Sequence, residues 1–114
     1  DSLRAIEKCK QHPGKMWMVR NKRMLPLMPF SLNSVPWHSN QYASLPEIYV
    51  QNASLEIAWS RTVLELGSIA GESIIPFITS GVEGFDINEP EDIVLLQNYL
   101  NNGKATLPVI NLSP

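Results

Sequence analysis

Asp86 is the residue of this sequence best placed to do chemistry. It stands in Gly84-Phe85-Asp86-Ile87-Asn88-Glu89-Pro90-Glu91-Asp92, where a short apolar run gives way to a well-marked helix start. A strand that ends in a carboxylate and turns straight into a helix presents a polar group at the carboxyl edge of an open α/β sheet, where ligands bind. One carboxylate there can hold a hard cation, and Glu83, Glu89, Glu91 and Asp92 surround it with further acid. The same residue types are what a helix N-terminus prefers, because they favour its dipole and its first turn. Capping and ligand binding therefore both stand as readings of the cluster.

The elements that must position Asp86 are legible on either side. Ile74-Ile75-Pro76-Phe77-Ile78, between Gly71 and Gly81, reads as a buried strand, and Phe85-Asp86-Ile87 as a last short one. Beyond Pro90, an apolar stripe of Ile93, Val94, Leu96, Tyr99 and Leu100 predicts a helix that Gly103 ends. Asn88 by residue type and Glu89 by position compete for its N-cap. Upstream, residues 48–58 alternate: Tyr49, Ala53, Leu55 and Ile57 are expected on a buried face, with Val50, Asn52, Ser54 and Glu56 on a wetter one. Ser60 opens a short helix through Leu66, closed by Gly67.

Nearer the start, residues 3–7 fit a strand or the end of a helix. Residues 16–19 and 24–27 read as a β-hairpin turning at Asn21, with Pro26 and Pro29 placing its second strand at an edge. Residues 30–46 have no period; with Trp37, His38 and Tyr42 they predict a long loop that is functional or covered by a partner. Residues 105–114 form an extended apolar tail that needs a surface to lie on.

At 114 residues the chain is one domain or less, with a modest core, and 44% hydrophobic against 18% charged residues reads as globular and soluble. It has no apolar run of membrane-spanning length. It begins at Asp1 without a methionine or a leader, from which a fragment is expected. Residues 1–23 carry seven Lys or Arg against two acids, and the remainder two against nine. That basic end lacks the aromatic interleaving of a nucleic-acid binder. Cys9 is alone, which rules out an intrachain disulfide and fits a reducing, cytoplasmic setting. With His12 it offers too few ligands for zinc, so the two read as a surface thiol and a loop histidine. Asn52-Ala53-Ser54 matches a glycosylation acceptor and is taken as coincidence in a strand.

Several segments, in order, resemble the C-terminal half of the acylneuraminate cytidylyltransferases, the CMP-sialic acid synthetase family. His12-Pro13-Gly14-Lys15-Met16-Trp17 is similar to that family's His-Pro-x-Lys segment with its tryptophan. Leu45-Pro46-Glu47-Ile48-Tyr49-Val50-Gln51-Asn52 resembles its Leu-Pro-x-x-Tyr-x-x-Asn strand, and Phe85-Asp86-Ile87-Asn88 its Asp-Ile-Asp motif. The resemblance implies an α/β fold, the second half of a doubly wound Rossmann-like nucleotidyltransferase domain. Residues 1–114 would form one partial domain, with a hairpin and loop at residues 10–46 as its dimerisation element. The Gly-rich stretch that cradles CTP in the family has no counterpart among the six glycines.

The implied reaction joins CTP to a nine-carbon 2-keto sugar acid and releases pyrophosphate, with Mg2+ as cofactor. Asp86 matches the first metal carboxylate; Asn88 stands where the family has a second Asp, as a neutral and weaker ligand. Lys15 matches a lysine that reaches the sugar carboxylate of the neighbouring subunit, and Asn52 an asparagine facing the sugar. Gln41 falls near an Arg-Gln pair whose arginine is absent here, and Ile69 and Ala70 near the contact for the N-acyl methyl. The implied partners are CTP, the sugar acid and a second copy in a homodimer. The alternative is a catalytically inactive dimerising scaffold of the same fold.

Overall fold

The computed structural model describes residues 1–111, so the last three residues of the expected tail lie outside the described residues. In chain order the strands are β1 (Ser2–Lys8), β2 (Trp17–Arg20), β3 (Arg23–Pro26), β4 (Ser31–Leu32), β5 (Val35–Pro36), β6 (Tyr49–Ala58) and β7 (Ile74–Ile78). The α-helices are α1 (Ser60–Leu66), before β7, and α2 (Pro90–Asn101), after it. The chain divides into two compact units, one of Asp1–Glu7 with the chain from Gln51 onward, the other Lys8–Val50.

The first unit is built on a mixed three-stranded sheet in the order β6-β1-β7. β1 and β7 are parallel, from Ser2 opposite Ile74 to Ile6 opposite Ile78. The central strand carries small residues where the chain closes on it: Ala5 is fully buried and Ser2 nearly so. Polar bonds fasten the amino end of β1. The Ser2 hydroxyl donates to the Ala70 carbonyl at 2.7 Å, and the buried Thr62 hydroxyl of α1 donates to the Asp1 carbonyl at 2.8 Å. The Asp1 carboxylate accepts the Glu72 and Ser73 N–H groups at 2.9 and 3.0 Å. Gly67, at φ 66°, ends α1 in the left-handed conformation as expected, while Trp59 rather than Ser60 occupies the N-cap position.

The expected burial of β7 is not realised. All five of its residues are exposed, Ile75 and Ile78 each to 59%. On the face of β6 expected to be buried, Tyr49, Ala53 and Ile57 are exposed, Ile57 to 56%, and Leu55 is half-buried. Parallel strands ordinarily have both faces covered, and among the described residues no further layer covers them. Successive residues Ile93, Val94 and Leu95 of α2 are exposed as well. Ala5 and Leu45 are the buried apolar residues among those described. The accessible area is 9308 Å², against roughly 6,300 Å² for a folded monomer of this mass.

Phe85-Asp86-Ile87 forms no strand. Two successive turn bonds, Glu83 N–H to Ser80 O at 3.1 Å and Phe85 N–H to Val82 O at 3.0 Å, coil the chain after β7. Irregular chain then runs to Glu89, the N-cap of α2. The outer edge of β7 can be read from its ladder. Ser2 N–H bonds to Ser73 O and Thr79 N–H to Ile6 O, so odd-numbered residues of β7 face β1 and Ile74, Pro76 and Ile78 face outward. Pro76 thus removes a donor from the free edge, a means of discouraging a further strand there.

The second unit holds two hairpins. β2 and β3 pair antiparallel around Asn21 and Lys22, both at positive φ (51° and 64°), the backbone that matches the twist of a two-residue hairpin. β4 and β5 repeat the device at Asn33 and Ser34, φ 52° and 64°. The segment expected to be an aperiodic loop therefore contains a small hairpin and two single 3-10 turns, Trp37–Ser39 and Tyr42–Ser44.

His12 ties this unit together: it stands in a loop, just ahead of the Pro13–Lys15 turn, and is buried there. Its Nδ1 accepts the Gly14 N–H at 2.9 Å, which leaves Nε2 to donate to the Pro46 carbonyl at 2.8 Å. Trp37 and Tyr42 meet the ring edge-on, with centroids 5.6 and 5.8 Å away. A Cβ on Gly14 would lie 3.0 Å from His12 Nδ1 and 3.2 Å from the Trp37 ring, so a side chain there would press both rings aside by a few tenths of an ångström.

Candidate functional site

Ligands of open α/β sheets bind beyond the carboxyl ends of the parallel strands, and in the first unit that is where the pairing of β1 with β7 ends, at Ile6 and Ile78, with Thr79 just beyond. Thr79 is 5% exposed, and its hydroxyl donates to the Ile6 carbonyl at 3.1 Å. The same oxygen accepts Asn52 Nδ2 at 3.0 Å. On its other side the Asn52 amide accepts the Ser54 hydroxyl at 2.6 Å and the Ser54 N–H at 3.2 Å. The amide is held at both ends, and Nδ2, the atom a glycan would modify, faces Thr79.

The Gly84 backbone closes over this amide and stands two residues before Asp86. Asp86 is exposed, and its Oδ2 accepts Asn88 Nδ2 at 3.1 Å. Asn88 therefore turns its NH2 rather than its oxygen toward the carboxylate. Asp92 takes the helix-start role: its Oδ2 accepts the Asn88 and Glu89 N–H groups at 2.8 and 3.0 Å. Those two bonds, first Asn88 and then Glu89, hold its carboxyl below the ordinary aspartate range. The acidic cluster is thus divided, with Asp92 capping α2 and Asp86 bonded to Asn88. Among the described residues no three of His, Cys, Asp and Glu gather in a group able to hold a metal.

Ile69 and Ala70 are not brought to this edge. The Ala70 carbonyl is bonded to Ser2, at the opposite end of β1 from Ile6, roughly 13 Å away along a strand. Lys15 and Gln41 belong to the second unit. Lys15 Nζ donates to the carbonyls of His38, at 2.8 Å, and Asn40, pinning the turn between β5 and Tyr42. Gln41 is exposed, and its carbonyl accepts the Ser44 N–H at 3.0 Å. A hollow of about 210 Å³ in the same unit is lined by Cys9, His12, Tyr42, Pro46 and Glu47 among others. Both nitrogens of His12 are spent on the backbone, so the ring offers that hollow no free donor or acceptor. The Lys8 ammonium, 3.2 Å from Glu47, and then the Tyr49 hydroxyl hold the Glu47 carboxyl low.

Sequence reasoning missed Thr79 and the contact of Gly84. The signal for Thr79 was its place as the first polar residue after the apolar run of β7; for Gly84 it was a glycine two residues before the carboxylate. No protein-family model and no curated protein matches the chain.

Proposed function

We propose that the chain is the sugar-acid-binding and dimerisation half of a cytidylyltransferase of the CMP-sialic acid synthetase type, a cytoplasmic activity that joins CTP to a nine-carbon 2-keto sugar acid. On this reading the mixed sheet is part of a doubly wound Rossmann-like domain, and the uncovered faces of β6, β7 and α2 are where the rest of that domain packs. One observation carries the proposal. Asn52 and the Asp86 loop come from the two motifs of the resemblance farthest downstream, and they meet at the carboxyl edge of β1 and β7 through Gly84.

Each residue has a definite task. Asn52, locked by Thr79 and Ser54, offers an oriented amide to sugar hydroxyls. Asp86 and Asn88 would hold Mg2+, whose charge offsets that of the triphosphate. One carboxylate and one amide oxygen fit an ion that takes most of its ligands from phosphate and water, once Asn88 turns its oxygen inward. Lys15 is a cation available to the sugar carboxylate bound by a neighbouring subunit if the His38 and Asn40 carbonyls release it.

The test is magnesium-dependent pyrophosphate release from CTP and N-acetylneuraminate, by the chain alone and with a CTP-binding half of the family supplied in trans. Turnover by the pair, silence from the chain and loss of the reaction in Asp86→Ala are expected; turnover that survives Asp86→Ala refutes the assignment. A second reading, an inactive dimerising scaffold, is favoured by the Asp86–Asn88 hydrogen bond, which closes the pair on itself without an ion.

A further inference from the structure

The Asn52 amide and the Asp86 loop are set relative to one another at a single point. A Cβ built on Gly84 would lie 2.5 Å from Asn52 Nδ2, 3.0 Å from its Cγ and 3.2 Å from Glu7 Oε1. Contacts under 3.0 Å require something to move. The Asn52 amide cannot step aside cheaply, because Thr79 holds its nitrogen and Ser54 its oxygen. Thr79 is in turn anchored on Ile6, in the middle strand of the sheet. Gly84 ends the turn closed by the Phe85 N–H to Val82 carbonyl bond, and the chain from Phe85 to Asn88 that follows is irregular, so a displacement at Gly84 falls on the loop carrying Asp86. Gly84 does not have a left-handed φ, so its glycine is explained by the approach and not by backbone conformation.

We infer that Gly84 is a positioning residue: its bare Cα lets the loop carrying Asp86 and Asn88 seat on the Asn52 amide, and the chain Ile6–Thr79–Asn52 fixes where that seat is. Any ligand contacted by both Asn52 and the Asp86 loop is gripped only while this contact holds. The contact itself is independent of the ligand's identity, whereas its consequence for sugar-acid affinity rests on the function proposed above.

The experiment uses the full chain, labelled with 15N, with the Asn52 side-chain NH2 assigned by its loss in Asn52→Ala. Gly84→Ala is expected to move the backbone amides of residues 85–88 and to speed exchange of the Asn52 NH2. In the double variant with Asn52→Ala, the added methyl no longer meets Nδ2 or Cγ, so residues 85–88 should return to their positions in the single Asn52→Ala variant. Unmoved loop amides in Gly84→Ala, or no relief in the double variant, overturn the inference. Should Gly84→Ala fail to fold, Thr79→Val and Thr79→Ser carry the test: Val should free the Asn52 NH2 and shift residues 85–88, and Ser should restore both. Loop amides unmoved by Val overturn it equally. Titration with N-acetylneuraminate then separates the two claims. Gly84→Ala should weaken binding by about tenfold, the equivalent of one displaced hydrogen bond. Absence of binding to the wild-type chain removes the sugar-acid reading, while the shifts of residues 85–88 still decide the positioning role.

Discussion

Replacing His12 by Ala should unfold the second unit before the first. The ring makes two hydrogen bonds to backbone, at 2.9 and 2.8 Å, and is met edge-on by Trp37 and Tyr42. Each hydrogen bond is worth about 1 kcal/mol net, and a buried N–H left without an acceptor, here that of Gly14, costs about 1–3 kcal/mol. The two aromatic contacts add about 0.5–1.5 kcal/mol apiece. Since the lost Gly14 bond and the orphaned N–H are largely the same quantity and count once, the loss comes to about 3–7 kcal/mol. Small domains have about 5–15 kcal/mol in all, so the change takes a large share. Urea unfolding followed by tryptophan fluorescence is the assay, because Trp37 packs on the ring. His12→Asn offers an acceptor near the position of Nδ1 for Gly14 but cannot reach Pro46, and should recover part of the loss. A His12→Ala chain whose stability falls by less than about 0.5 kcal/mol, the range of a neutral surface change, refutes the reasoning.

Further predictions concern the site and its edges. Asp92 has a lowered folded pKa, so its contribution to the start of α2 is complete above the ordinary aspartate value of about 3.9 and fades as pH falls through the folded pKa. Loss of α2 helicity in acid should be weaker in Asp92→Asn, and identical acid profiles for the two proteins would contradict this. Asn88→Asp replaces an amide turned toward Asp86 by a second carboxylate, and should tighten Mn2+ binding by about tenfold or more, as expected when a charged ligand replaces a neutral one; unchanged affinity favours the scaffold. Pro76→Thr restores a donor to the outer edge of β7, and should make self-association by sedimentation rise more steeply with concentration than in the wild-type chain. Equal association would show that the edge is closed by something other than proline.

Local signals told the elements apart but not their surroundings. Asn21 and the flanking apolar runs were enough for the β2–β3 hairpin, since a two-residue turn is local chemistry. Asn33-Ser34 carried the same chemistry with only two residues of strand on either side, too short a pattern to rise above the loop. The alternation of β6 and the apolar run of β7 state which faces prefer burial; they do not supply a layer to bury them, and the described residues include none. Residues 85–87 have strand-like composition, but the turn bonds from Ser80 to Phe85 precede them and leave no neighbouring strand to pair with. His12 is held by Pro46, and Asn52 by Thr79, across long stretches of chain that no periodicity connects. The resemblance named Asn52 and Asp86, and the structure adds Thr79 and Gly84 between them.

The proposed function requires the carboxyl edge of β1 and β7 to bind a sugar acid. The most direct measurement is titration of the 15N-labelled chain with N-acetylneuraminate, observing the Asn52 side-chain NH2 and the backbone amides of residues 84–88, with N-acetylmannosamine as the control lacking a carboxylate. Saturable shifts at both places with the acid, and none with the control, are the predicted result. Shifts confined to other parts of the chain, or no shifts at millimolar sugar acid, would contradict the account.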